Sequence, residues 1–115
     1  MMAKVVEQRV LPDNWRWVRL GDVCEIIGGG ILPPHIDGVA ERDRIYGLKV
    51  SDLNSEFSDG YQLTGSQHHV NIRTLKKRIL SPQDIILPKR GGAIATNKKR
   101  ILDISAILDP NLMGL

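Results

Sequence analysis

The 115-residue sequence predicts an α+β fold, in which short strands form a twisted, mostly antiparallel sheet accompanied by a few short helices. Three observations carry that expectation. Apolar residues alternate over short stretches such as "RIYGLKVSDL", helical spacing holds for only about two turns at a time, and Gly, Pro, Asn and Asp interrupt the chain at close intervals. The apolar fraction of 42% supports a core, and with aromatics at 4% that core is built from Ile, Leu and Val. Residues 1–10 read as a tail and 11–115 as one domain. The final "AILDPNLMGL" reads as strand and turn with no closing helix, so the domain is expected to be cut short at its C-terminus.

Taken in order, "LPDNWRWVRLGDVCEIIGGG" opens the domain. Leu20, Val23 and Ile27 fall at helical spacing, and Gly28-Gly29-Gly30 ends the predicted short helix. Trp15 and Trp17 are expected to be packing anchors, because Trp is usually buried. "ILPPHIDGVAERDR" is a loop. "RIYGLKVSDL" is a strand with Tyr46, Leu48 and Val50 on its dry side and Gly47, Lys49 and Ser51 on its wet side. "NSEFSDGYQLTGSQHHV" is polar and rich in turn formers. "NIRTLKKRILSPQDI" predicts one short helix, with Thr74 as its N-cap, Leu75 and Ile79 buried, and Ser81-Pro82 as its stop. "DIIL", "GAIAT" and "KRILDISAIL" are further strand candidates. No internal repeat or low-complexity tract interrupts the chain.

The net charge of +3 is unevenly placed. Residues 1–60 carry seven basic and ten acidic side chains, and residues 61–115 carry nine basic and three acidic ones. Such asymmetry suits a polyanion on one face, and equally a solvated Lys/Arg surface. Cys24 is the only cysteine, so an internal disulfide and a Cys-based metal cage are excluded. "MMAKVVEQRV" lacks the apolar core of a signal peptide, and a cytoplasmic setting is expected.

Catalytic templates do not fit. "GGGILPPH" is not a G-x-G-x-x-G turn opening a helix, and "KRGGAIATNKK" lacks the G-K-[ST] ending of a P-loop. Backbone N–H groups after Gly91-Gly92 retain the ability to meet one phosphate. His68 and His69 are adjacent and diverge on either a strand or a helix, with His35 distant in sequence, so they are expected in a polar loop and not in a zinc site. Acids concentrate in the half that lacks the basic clusters, contrary to what a metal-dependent nuclease needs. No cofactor, metal or catalytic residue is assigned.

The order of segments resembles the target-recognition domain of the specificity subunits of type I restriction–modification enzymes. "LPDNWRWVRLGDVCEIIGGG" looks like that domain's opening, with Leu-Pro, a Trp-x-Trp pair and Leu-Gly-Asp-Val. "YGLKVSDLNSE" is similar to its first central strand. "LSPQDIILPKRGGAIA" resembles its Gly-Asp-Ile-Leu strand and the basic, Gly-containing segment after it, and "AILDPNLMGL" is like a later stretch. The resemblance covers residues 11 to 115. One departure is Gln83, where the family commonly has Gly. Membership would imply a non-catalytic module that reads half of a bipartite duplex DNA site. Adenine methylation and ATP-dependent cleavage would reside in partner methyltransferase and restriction subunits. The same module also occurs fused to methyltransferases.

The candidate DNA-binding residues are Lys76, Lys77, Arg78, Lys89, Arg90, Asn97, Lys98, Lys99 and Arg100. Lysines suit phosphates as mobile point charges; Arg90 and Arg100 suit guanine O6/N7, and Asn97 or Gln62 suits adenine. Neutralising about six phosphates would give a log–log salt slope near −5. Single-stranded nucleic acid fits less well, because residues 71–102 contain no aromatic to stack on. Two other readings stay open: a small metal-dependent nucleic-acid enzyme using His68 and His69, and a protein-docking fragment whose charges meet an acidic partner.

Overall fold

The computed structural model describes residues 10–90, 94 and 97–115. One α-helical turn, α1 (Leu20–Val23), precedes a chain of short strands: β1 (Ile27–Gly28), β2 (Arg44–Leu48), β3 (Ser58–Asp59), β4 (Gln62–Leu63), β5 (His68–Asn71), β6 (Ile85–Pro88), β7 (Arg100–Leu102), β8 (Ala106–Leu108) and β9 (Leu112–Gly114). Short 3-10 turns cover Glu41–Asp43, Val50–Asn54 and Ile72–Thr74. The α+β expectation holds, with two sheets in place of one. The larger runs β1-β9-β6-β7-β4-β3 and the smaller β5-β2-β8. Their pairings are antiparallel except for β2 with β8 and β4 with β7. The proposed "GAIAT" strand lies almost wholly outside the described residues.

The core fills the space between the sheets. Leu48, Ala106 and Leu108 from the smaller sheet meet Leu63, Ile86, Leu102 and Leu112 from the larger, with Leu53 and Leu80 added from the connections. On the far side of the smaller sheet, Ile45, Val70 and Ile107 pack beneath Leu32, Leu75 and Ile79. That second layer corrects the reading of β2 as half wet. Ile45 and Gly47 are buried on one face and Leu48 on the other, because a sheet covered on both sides has no solvent face. Val50 and Ser51 leave the strand for a 3-10 turn, whose Asp52 carboxylate accepts the Lys49 N–H at 2.8 Å.

Three local expectations are overturned. The opening helix is a single turn, and the glycine triplet does not end it: Ile27 and Gly28 pair with Gly114 and Met113 on β9. Gly29 is there for contact, since a Cβ on it would stand 1.8 Å from the carbonyl oxygen of Asp109. Trp15 and Trp17 are 69% and 55% exposed, because the segment before β1 lies on neither sheet. In the predicted helix after Asn71, only Ile72–Thr74 turns, and Asn71, not Thr74, caps it by accepting the Arg73 N–H at 2.9 Å. Leu80 is then drawn into a bridge with Ala106 instead of a helical turn.

The turn before β6 explains the departure at Gln83. Asp84 N–H donates to Ser81 O at 3.1 Å, Pro82 occupies the second position, and Gln83 has φ +80°. This is a type II turn, whose third position favours Gly because a Cβ crowds the following carbonyl. Gln83→Gly is expected to raise the unfolding free energy by about 1 kcal/mol in urea melts, with no change in the fold.

Candidate nucleic-acid interface

Strand directions decide which loops meet. Ile86 on β6 stands opposite Arg100 on β7, so Lys89-Arg90 leaving one strand and Asn97–Lys99 entering the next lie at the same end of the larger sheet. Antiparallel β9 brings the Asp109–Asn111 turn to that end, where Lys89 N–H donates to Asn111 O at 2.9 Å. Antiparallel β1 in turn delivers Gly29-Gly30. Parallel pairing of β4 with β7 adds the Gly60-Tyr61 turn, held by the Ile101 N–H donating to Tyr61 O at 2.7 Å. Two basic clusters separated in sequence thus occupy one rim.

The cations differ in what they are free to do. Lys89 and Lys77 lay their amines on the glycine ledge: the two Nζ atoms lie 3.4 Å and 3.5 Å from where Cβ atoms on Gly28 and Gly30 would stand. A cleft of about 230 Å³ runs beside this ledge, lined by Gly28–Gly30, Lys77, Arg78 and Leu80. Arg90, Lys76, Lys99 and Asn97 are exposed, and Asn97 holds a left-handed φ of +52°. Lys98 reaches across to the Asn54 side-chain oxygen.

Arg78 and Arg100 are committed elsewhere. Arg78 forms a two-pronged pair with Glu25, which holds the Glu25 carboxyl below the usual range and raises the Arg78 guanidinium further. Arg100 donates to Ser58 Oγ at 2.6 Å, Leu53 O at 2.7 Å and Lys99 O at 2.8 Å, tying β7 to β3 and to the turn after β2. Three of its N–H groups are thereby engaged, so a bidentate grip on guanine would compete with bonds that hold the fold. Gly91-Gly92, the suggested phosphate-approach element, lies outside the described residues.

His68 and His69 are not in a loop. His68 and His69 sit on β5, and His35 folds back over them, with ring centroids 5.9 Å and 5.3 Å away. His35 Nδ1 accepts the His69 N–H at 2.8 Å, while His68 Nε2 bonds Pro33 O at 2.6 Å and His69 Nε2 bonds Ser66 O at 3.0 Å. These bonds clamp the Leu32–Gly38 loop onto the strand, so the cluster has a structural task. Among the described residues no group of three or more His, Cys, Asp or Glu side chains is placed to hold a metal ion. Asp52, half-buried, has its carboxyl raised by desolvation, with the Lys49 N–H pulling the other way. No described helix is long and apolar enough to cross a membrane.

Tyr61 is the residue that sequence reasoning missed. It lies ten residues before the basic stretch, and only the parallel β4–β7 register carries it to the rim. Its sole local signal was the Asp59-Gly60 turn pair, whose Gly60 has φ +61°.

No family model and no curated protein matches the chain. Solved structures do. One is the HsdS subunit from Thermoanaerobacter tengcongensis, with a TM-score of 0.65 and 22% identity over 92% of this chain and 24% of that one. Another comes from a study of complex assembly and conformational transition of the type I R-M system, with a TM-score of 0.64 and 21% identity over the same shares. The chain therefore has the fold of part of a type I specificity subunit and spans about a quarter of the length of these structures.

Proposed function

We propose that this chain is part of a cytoplasmic type I restriction–modification specificity subunit, a non-catalytic module that reads duplex DNA and directs partner methyltransferase and restriction subunits to it. The observation that carries the DNA reading is the meeting of Lys89, Arg90, Asn97, Lys98 and Lys99 on one rim, flanked by Lys77 on the glycine ledge. Such a rim offers phosphates several cations at once, and counterion release then supplies affinity. Asn97 and Arg90, both exposed, are the groups placed to read base edges. Arg78 and Arg100 position the rim. The test is fluorescence anisotropy of the chain with labelled duplexes across a salt series. Affinity should fall with a log–log slope of about −4 to −5 and should differ between sequences. Binding that ignores both salt and sequence would overturn the reading.

A protein-docking role has an observation of its own. Trp15, Trp17, Val18, Leu20 and Val23 are all exposed along one short segment. Exposed aromatic and aliphatic side chains interleaved with Arg16 and Arg19 suit a protein partner that offers an apolar patch with acidic groups. This segment stands apart from the basic rim, so the same chain accommodates both roles.

A further inference from the structure

The outer face of the larger sheet carries an apolar cleft beside the basic rim. Its volume is about 220 Å³, and it is lined by Tyr61, Ile85, Lys99, Arg100 and Ile101. Ile85 stands directly opposite Ile101, and Ile101 pairs in turn with Gln62, so the floor is a cross-strand apolar pair. Lys99, the residue before β7, also lines the cleft, and its amine donates to Asn97 O at 3.4 Å, on the basic-rim side. Tyr61 forms the wall and is 71% exposed. An aromatic wall, an aliphatic floor and a cation at the lip match a planar, apolar-faced ligand with a negative group attached.

We infer that Tyr61, Ile85 and Ile101 form a seat for a nucleobase displaced from its stack, with Lys99 beside its phosphate. This inference rests on the DNA-binding reading and adds to it a preference for duplexes with one unpaired base. Charge complementarity selects a nucleotide over an apolar peptide, because the cleft opens beside Lys99 and no acidic side chain among the described residues lines it. The basic stretch itself has no aromatic, and the parallel β4–β7 register supplies one from outside it.

The experiment compares a fully paired duplex with the same duplex carrying a single-base bulge, for the chain and for Tyr61→Ala, Tyr61→Phe and Lys89→Ala/Arg90→Ala. Wild type should favour the bulged duplex by roughly ten-fold, the scale of one base stacked on an aromatic ring. Tyr61→Ala should remove that preference, Tyr61→Phe should keep it, and the double variant should weaken both duplexes alike. Tyr61 is exposed, so these variants fold, and unchanged circular dichroism melts serve as the check. If Tyr61→Ala leaves the preference intact, or wild type shows none while still binding, the seat is wrong and the DNA reading survives. Failure of wild type to bind either duplex overturns both. Burial of Tyr61 by a protein partner with no effect on DNA would assign the cleft to a protein interface and reject the seat.

Discussion

Gly29→Ala is expected to destabilise the chain by about 3 kcal/mol, lowering the melting midpoint by roughly 10 °C. The added Cβ would stand 1.8 Å from Asp109 O and 2.6 Å from its carbonyl carbon, with Leu108 O at 2.9 Å. All three are backbone atoms, so no side-chain rotation relieves the clash. Relief requires moving β1 off β9 or distorting the turn between β8 and β9, and both support the rim. Gly29 does not have a left-handed backbone, so the effect isolates close approach from conformational strain. Gly28→Ala is the control. Among the described residues a Cβ there meets only the Lys89 amine, at 3.4 Å on a flexible stem, and a change within about 0.5 kcal/mol is expected. Equal losses for the two variants in thermal or urea melts would show that Gly29 is not the point of contact.

The second large effect concerns the rim. Replacing Lys89, Arg90, Lys98 and Lys99 together by alanine should reduce the magnitude of the salt slope by roughly three to four, since each phosphate contact contributes about 0.9. At moderate salt that loss leaves little measurable duplex affinity. Lys98 also bonds Asn54 and Lys89 packs on the glycine ledge, so a melt of the variant must accompany the binding curves. A control variant at Arg42, Arg73 and Lys49 removes three charges that lie outside the rim. It should leave the slope nearly unchanged.

How much of this was legible from the sequence depends on how local each feature is. β6 announced itself through a Ser-Pro turn and an apolar run, whereas Gln83 stood out only against the family resemblance, and its φ of +80° supplies the physical reason. The basic rim was legible as two clusters around one strand connection, because a hairpin puts its two arms side by side. Long-range pairings were not. Nothing near His35 says that it accepts a hydrogen bond from His69, more than thirty residues on, and nothing near Tyr61 reveals the parallel partner β7. Trp15 and Trp17 misled for a related reason. Burial statistics say that Trp seeks a covered site, but whether the cover belongs to the same fold is a tertiary matter. Arg100 looked like a base-reading group from composition, and three bonds to Leu53, Ser58 and Lys99 assign it to the scaffold. The glycine triplet carries a local helix-stop signal, but its middle residue serves contact with a turn eighty residues away.

The most direct test of the account is hydrogen exchange measured by mass spectrometry on the chain, with and without a saturating duplex. New protection is expected in peptides carrying Lys89-Arg90, Asn97–Lys99 and Gly60-Tyr61, with the Leu32–Gly38 loop and β5 unchanged. Protection centred on the histidine clamp and Arg73, with the rim unaltered, would contradict it.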